Sequence, residues 1–187
     1  MALPISDRSD AWLVREAMGG QPEAFNVLVR RWERKVYSYL VHLTGRPEDA
    51  FDLCQEAFIS GFRNLRQLKE PEKFRPWLFR IAHNTAHSHA RTARQEEAGL
   101  KALDPPGDTP PLRVGAGGPW EQGELKILVQ KALAELPAEQ REAIILKFYQ
   151  GFKLAEIAEI QDCPLSTAKT RVYSGFEQLK RIMNFEG

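Results

Sequence analysis

Side chains suited to binding an anion or a nucleic-acid base are concentrated near the C-terminal end of the sequence. Leu154, Ile157 and Ala158 recur at the spacing of a short amphipathic helix, and the residues at 162–164 break it. Ser166 is a good N-cap for a second helix, whose buried face repeats through Ala168, Val172, Phe176, Leu179 and Met183. The pattern predicts a helix-turn-helix whose second helix carries donors and cations on its other faces: Ser166, Thr167, Lys169, Thr170, Arg171 and Ser174.

The position of the cations on this second helix favours an anionic partner. Lys169 and Arg171 lie in its first turns, where the helix dipole disfavours positive charge unless an anion is near. A DNA phosphate backbone supplies that anion, and Arg171 is then expected to pair with a guanine edge. The alternative is a plain helical hairpin with a solvated polar face, and this stretch alone does not decide between the two.

A basic stripe lies on another predicted helix, which begins at Pro76 and runs to about Arg94. The segment 73–95 contains no acidic residue, and at 100° per residue its cationic side chains share one face: Arg80, His83, His87, Arg91 and Arg94. The predicted inward face is Trp77, Leu78, Ile81, Ala82 and Thr85, which leaves Phe74 and Phe79 as expected exposed aromatics. Cations for phosphates beside rings for unstacked bases favour binding to a nucleic-acid strand, with a solvated face as the alternative.

His83 and His87 are also spaced as a helical metal-binding pair. The metalloprotease pattern requires a Glu directly after the first His, where this chain has Asn84. No carboxylate or cysteine lies close by in the sequence to complete a ligand set, and a phosphate loop and a nucleophile elbow are also missing from the sequence. We therefore expect no metal, no cofactor and no enzymatic activity.

An acidic face is predicted on the helix that Pro47 opens. Asp49, Asp52 and Glu56 fall within one arc, opposite an apolar arc of Ala50, Cys54, Ala57, Phe58, Gly61 and Leu65. The helix dipole explains acidic residues in the first turn but explains Asp52 and Glu56 less well. The arc is either a partner-binding surface or a solvated face.

Helical periodicity dominates the rest of the chain and predicts an all-α protein without strands. Helices are expected from Asp10 to Met18, from Pro22 to Gly45, from Glu124 to Leu136 and from Ala138 to Tyr149. A segment rich in proline and glycine separates two small helical domains, which predicts domain one at 1–96, a flexible linker at 97–120 and domain two at 121–187.

Composition limits the class of protein. The 187 residues carry a formal net charge of +1, so the chain is not a generally basic nucleic-acid coat. Its two cysteines have no metal-ligand spacing and are typical of reduced, buried thiols. Residues 1–10 lack the apolar core of a signal peptide, and no apolar run approaches membrane-spanning length. We expect a cytoplasmic protein without membrane insertion.

Taken together, the motifs resemble those of bacterial RNA polymerase sigma factors of the extracytoplasmic-function (ECF) type. The segment 47–58, PEDAFDLCQEAF, is similar to the family's D-A-E-D-x-x-Q-E-x-F helix, and 74–84, FRPWLFRIAHN, to its F-x-x-W-L-x-x-I-A-x-N segment. Residues 136–141 and the helix-turn-helix resemble the sigma-four domain. The resemblance implies a sigma-two and a sigma-four domain that bind core polymerase at the β′ clamp helices and the β flap, and also promoter DNA. An anti-sigma factor is a further expected partner.

The resemblance also implies roles for individual residues. Core-polymerase binding is expected of Asp49, Asp52, Gln55 and Glu56. Contacts to the −10 element, including capture of a flipped base and melting, are expected of Lys73, Phe74, Trp77, Arg80, His83, Asn84, His87, Arg91 and Arg94. Contacts to the −35 element are expected of Ser166, Thr167, Lys169, Thr170, Arg171 and Ser174.

Several positions depart from the family pattern. Phe51 stands where the third, acidic residue of D-A-E-D is expected, and Ser88 stands where the family often has Asp. In the helix-turn-helix, Gln161 and Asp162 replace the usual Leu-Gly. A stand-alone helix-turn-helix repressor or activator and a sequence-independent single-strand binder are the rival interpretations. The acidic arc favours the sigma factor, because a DNA-binding domain gains nothing from it.

Overall fold

The computed structural model describes residues 4–100 and 124–183, with side chains described for 4–95 and 128–183. Across those ranges the regular structure is helical and contains no strand, as the sequence predicts. Within the same ranges, no helix combines the length and the apolar character needed to cross a bilayer. The predicted linker lies outside the described residues except for its first few positions.

The first two helices begin and end where local sequence signals place them. Helix α1 spans Asp10–Met18, and the Ser9 hydroxyl accepts a hydrogen bond from the Trp12 amide as its N-cap. Helix α2 spans Pro22–Thr44 and ends at Gly45, whose φ of 69° requires a residue tolerant of the left-handed region. Both predicted helices are confirmed.

Helix α3 spans Pro47–Asn64 and buries the apolar arc that the sequence predicts, from Ala50 to Gly61. Helix α4 spans Phe74–Leu100, so it begins two residues before Pro76 and continues past the predicted end near Arg94. A short 3₁₀ turn at Pro71–Lys73 leads directly into α4, and proline is tolerated in a first turn because its missing N–H has no helical partner there.

The prediction that Phe74 and Phe79 are exposed is wrong. Phe74 is 1% exposed and Phe79 is 0% exposed. Phe74 packs beside Trp77 at a ring-centroid distance of 6.0 Å, and Phe79 lies 5.3 Å from the Tyr39 ring. Burying a phenyl ring is favourable because it removes apolar area from water. Phe79 therefore lies on the inward face of α4, and Trp77 is only half-buried.

The C-terminal part contains α5 (Glu124–Ala134), α6 (Ala138–Ile144), α7 (Leu154–Ile160) and α8 (Leu165–Ile182). A wider π-type turn at Ile145–Tyr149 continues α6, and Gly151 ends it at a φ of 72°. Asp162, at a φ of 49°, makes the turn between α7 and α8. The predicted helix-turn-helix is confirmed.

Two details of the C-terminal part differ from the prediction. Ser166 is not the N-cap of α8: the helix starts at Leu165, two residues earlier than predicted, and Pro164 occupies the cap position without a side-chain hydrogen bond. Phe176, expected on the buried face, is 41% exposed and stacks on Phe148, with 5.7 Å between the ring centroids.

One apolar core runs through both parts of the chain. Phe79 of α4 meets Phe152 edge-on, with 4.9 Å between the ring centroids, and the Arg75 guanidinium lies 4.0 Å from the Phe152 ring centroid. Helix α7 packs along α4, and the π-type turn packs against α2. We call the described residues 4–100 the N-terminal unit and 124–183 the C-terminal unit.

Candidate polymerase and DNA interfaces

The acidic arc of α3 is a solvent-facing surface. Asp52, Gln55 and Glu56 are exposed, and the Asp49 side chain is 32% exposed with a carboxylate oxygen 3.8 Å from Arg46. The adjacent Phe51 side chain is 56% exposed. Negative charge beside an exposed aromatic ring is suited to binding another protein, since aromatic residues are enriched in protein interfaces.

The basic stripe of α4 faces the C-terminal unit over part of its length. The Arg80 guanidinium lies 2.9 Å from an Asp162 carboxylate oxygen, and His83 and His87 both contact Glu142. Further along α4, Arg91 and Arg94 are exposed, as is Asn84 on its neighbouring face. The segment 73–95 holds no acidic residue, but the fold supplies carboxylates to the stripe from α6 and the α7–α8 turn.

Glu142 is the centre of this contact. It is 1% exposed, and both of its carboxylate oxygens accept hydrogen bonds. One oxygen accepts from the Tyr39 hydroxyl and from His83 Nδ1 at 2.7 Å. The other accepts from Gln161 Nε2 at 3.1 Å and from His87 Nε2 at 3.4 Å. A buried carboxylate is tolerated when its lone pairs are satisfied in this way.

Ionisation of these groups follows from the same contacts. Burial disfavours the charge on Glu142, but the hydrogen bonds from His83, His87 and Tyr39 outweigh it and hold its pKa well below the ordinary value. The hydrogen bond to Glu142 raises the pKa of His87 against the effect of its own burial. Burial, and then the charge of Glu142, raises the pKa of Tyr39.

The start of α4 brings together only part of the predicted −10 set. The Lys73 ammonium lies 3.1 Å from Glu70 and 4.0 Å from Glu159, and the hydrogen bond to Glu70 raises its pKa. Phe74 is buried and cannot stack on a base from this position, whereas Trp77 is half-buried. Lys73 and Trp77 therefore remain accessible members of the set.

The outer face of α8 presents most of the predicted −35 residues. Ser166, Lys169, Thr170 and Ser174 are exposed, and Thr167 is half-buried. Arg171 differs, because its side chain is only 19% exposed and its guanidinium lies 2.9 Å from Glu139 and 3.3 Å from the Gln161 side-chain oxygen. These contacts hold the Arg171 guanidinium against its own unit.

The sequence patterns do not single out four residues of these surfaces and of the contact between the units. Tyr173 is 64% exposed. It lies seven residues after Ser166 and therefore on the same face of the helix, a spacing that could have identified it from the sequence. Arg75 donates a hydrogen bond to the Gln150 carbonyl across the two units. Glu142 is an acidic residue next to the apolar run 143–146, which is the sequence signal for a buried charge, while nothing local marks Tyr39 as its partner.

Comparison with known proteins agrees with this arrangement. The family model "Sigma-70 region 2" matches residues 28–96, and "Sigma-70, region 4" matches residues 126–179. The ECF RNA polymerase sigma-E factor of Escherichia coli is 32% identical over 183 residues, which cover 91% of this chain and 92% of the relative. The ECF RNA polymerase sigma-E factor of Haemophilus influenzae is 30% identical over 194 residues, 96% of each chain.

A solved structure shares the fold. The sigma factor RpoE from Bartonella quintana, crystallised in complex with the anti-sigma factor NepR, aligns with a TM-score of 0.70 over 87% of this chain and 98% of that chain, at 24% identity. The two helical units, the second with a helix-turn-helix, correspond to the two sigma-70 regions in their order along the chain. The chain belongs to the sigma-70 family and, within it, to the ECF sigma factors.

The contact between the units should depend on the charge of Glu142. In Glu142→Gln the side chain keeps its size but loses its charge. One carboxylate oxygen is replaced by an amide N–H₂ group, which cannot accept a hydrogen bond from the donors around it. We expect this variant to lower the free energy of unfolding by about 1–3 kcal/mol, because buried donors lose their acceptor. Urea unfolding followed by circular dichroism measures the change.

Glu139→Gln, one turn earlier on α6, is the matched control. The Glu139 carboxylate is 64% exposed, although its partner Arg171 is only 19% exposed. Because the Glu139 charge is already in contact with water, we expect its loss to cost no more than about 1 kcal/mol. Equal free energies of unfolding for Glu142→Gln and Glu139→Gln would show that the buried carboxylate does not hold the units together.

Proposed function

We propose that this sigma factor binds core RNA polymerase through the N-terminal unit and selects promoters through both units, with α4 at the −10 element and α8 at the −35 element. The observation that carries the proposal is the separation of surfaces: an exposed acidic arc on α3, a basic stripe on α4 and polar side chains on the outer face of α8. A stand-alone repressor accounts for α8 but gives no use to the acidic arc.

The acidic arc is the proposed docking surface for the β′ clamp helices. Its carboxylates are exposed and positioned by the buried opposite face of α3, so they can meet cations of a partner without unfolding the helix. Complementary charge sets the orientation and the association rate of such an interface. Phe51 adds apolar area next to the charges.

The double variant Asp49→Lys with Asp52→Lys should weaken binding to core polymerase by about tenfold or more, because like charges then face each other across the interface. Helix content should stay unchanged, since neither side chain is in the core. Fluorescence anisotropy of the labelled chain titrated with core polymerase measures the affinity.

A variant with the same change in net charge provides the control. Glu23→Lys with Glu33→Lys alters two exposed carboxylates of α2 and should bind core polymerase nearly as well as the wild type. Phe51→Glu, which completes the acidic motif of the family, should bind at least as tightly. An unchanged affinity for Asp49→Lys with Asp52→Lys would remove the arc from the interface.

For the −10 element, we infer a division within the basic stripe. Arg91, Arg94 and Asn84 are exposed and meet DNA in the present arrangement, together with Trp77 and Lys73 near the start of α4. Arg80, His83 and His87 are paired with carboxylates of the C-terminal unit, so they must give up those contacts in order to bind DNA. Phosphate contacts by the cations and base stacking on Trp77 offset the cost of unpairing, which is a few kcal/mol per step.

For the −35 element, the exposed stripe of α8 is the proposed reading surface. Ser166, Lys169, Thr170 and Tyr173 follow one another at helical spacing near the N-terminal end of the helix, the part that contacts base edges in helix-turn-helix proteins. Arg171 is assigned a positioning part instead, because it ties α8 to Glu139 and Gln161.

Tyr173→Ala should change the −35 sequence preference, because each lost base contact alters discrimination by about 1–3 kcal/mol. Lys169→Ala should weaken binding to all sequences and reduce the salt slope by about 1, as loss of a phosphate contact does. Arg171→Ala should keep the preference. Selection from a randomised −35 library with holoenzyme reads out all three variants.

Arg181→Ala, exposed near the other end of α8, is the control for general effects of removing a charge and should match the wild type. A changed sequence preference in Arg171→Ala together with an unchanged one in Tyr173→Ala would reverse the assignment of the two residues.

The remaining proposals concern partners and location. The stacked Phe148 and Phe176 rings form an exposed apolar pair on the C-terminal unit, which suits contact with the β flap. An anti-sigma factor that covers the acidic arc and this pair would block both polymerase contacts. The existence of such a partner is supported by the fold shared with a sigma factor that was crystallised with an anti-sigma factor.

We propose that the protein acts in the cytoplasm, where polymerase and chromosome meet.

A further inference from the structure

The contact around Glu142 also has the composition of a metal site. His83, His87 and Glu142 each offer one ligand atom, and these atoms lie within 4.8 Å of one another. Among the residues with described side chains, no other trio of His, Cys, Asp or Glu is grouped in this way. Two imidazoles and one carboxylate are a ligand set that zinc proteins use, with water in the fourth position.

The sequence alone predicts no metal, because no carboxylate lies near the histidines along the chain. The fold supplies one from the C-terminal unit, since Glu142 is 59 residues from His83 and 55 from His87. The histidines themselves are one turn apart on α4, with 4.1 Å between their ring centroids. Two ligands therefore come from one unit and one from the other.

We propose that His83 Nδ1, His87 Nε2 and the Glu142 carboxylate bind one Zn²⁺ ion, which joins the N-terminal and C-terminal units. In a tetrahedral zinc site with bonds of about 2.0–2.1 Å, neighbouring ligand atoms are about 3.3 Å apart. The carboxylate oxygens lie 2.7 Å from the His83 nitrogen and 3.4 Å from the His87 nitrogen. All three ligand atoms lie within 4.8 Å of one another, so binding would replace the hydrogen bonds to Glu142 and bring these atoms to the tetrahedral spacing by side-chain rotation.

The surroundings meet the other requirements of a zinc site. The Tyr39 hydroxyl and Gln161 Nε2 donate to the Glu142 oxygens and fix the carboxylate, as outer-shell donors do around metal ligands. The Glu142 side chain is 1% exposed, so little water reaches the site from the carboxylate side. The His87 side chain is 46% exposed and gives the ion a path of entry.

The ligand chemistry selects among cations. Imidazole nitrogen suits zinc and its neighbours in the first transition row, whereas Mg²⁺ and Ca²⁺ prefer oxygen ligands throughout. A zinc ion would also hold His83 and His87 in the contact between the units. By the proposed function, these residues are needed at the −10 element, so zinc would favour the form that keeps part of the basic stripe covered.

Zinc titration of the free chain tests the site. The full chain, with any affinity tag removed and metal stripped by a chelator, is titrated with ZnCl₂ in competition with a chromogenic chelator. We expect one zinc ion per wild-type chain, and at least tenfold weaker binding in His83→Gln and in His87→Gln. An excess of Mg²⁺ should not displace the zinc.

His89→Gln is the matched control, since His89 is an exposed histidine on the same helix outside the group, and it should bind zinc as the wild type does. Glu142→Gln should also lose zinc, but it alters a buried residue and is expected to destabilise the fold. His87→Gln alters a half-exposed residue, so it tests the site without that complication. Zinc should raise the urea midpoint of the wild type and of His89→Gln but not that of His87→Gln.

Two results would overturn the proposal. One is no zinc binding by the wild-type chain at micromolar concentrations. The other is equal zinc affinity in His87→Gln, His89→Gln and the wild type, which would locate the ion elsewhere. Because the titration uses the chain alone, neither result depends on core polymerase or promoter DNA, so the proposed function stands or falls separately.

Discussion

The burial of one carboxylate constrains how the two units of this protein meet. Glu142 is 1% exposed, and a charge in that position is tolerated only while donors surround it. Those donors come from α2, α4 and the end of α7, through Tyr39, His83 and Gln161. The contact between the units therefore forms cooperatively, because the loss of one donor leaves the buried Glu142 carboxylate without one of the hydrogen bonds that stabilise its charge.

Under the proposed function, this constraint places intramolecular packing and DNA binding in competition for α4. The residues of the basic stripe that contact Glu142 and Asp162 cannot meet phosphates at the same time. The Asp162 side chain is 76% exposed and the Arg80 side chain 46%, so their ion pair contributes little to holding the units together. The Phe79–Phe152 contact and the Glu142 carboxylate are buried. If these residues bind the −10 element as proposed, polymerase and promoter must provide enough binding free energy to replace a packed contact, and promoter binding by the free chain is then limited.

Local signals were sufficient to predict the helices, and tertiary contacts decided what the sequence missed. Pro22, Pro47 and Gly45 restrict or permit backbone conformations only within one helical turn, so the helix bounds predicted from them are confirmed. The orientation of Phe79 depends on Phe152, which is far away in sequence, and periodicity alone turned it the wrong way. The acidic arc and the exposed face of α8 were predictable because each lies opposite an apolar face of the same helix. The partner of His83 and His87 was not, since no pattern within 73–95 indicates Glu142.

Transcription initiation by reconstituted holoenzyme tests the central claim, that this sigma factor opens promoters with the basic stripe of α4. Run-off transcription on a promoter library, with permanganate probing of the −10 region, compares the wild type with Arg91→Ala plus Arg94→Ala, whose side chains are exposed and lie outside the contact between the units. The wild type should give promoter-specific transcripts with reactive −10 thymines. The double variant should retain core binding, lose opening and reduce the salt slope of promoter binding by about 1.4 to 1.8. Normal opening by the double variant, or no promoter-specific transcript from the wild type, would contradict the account.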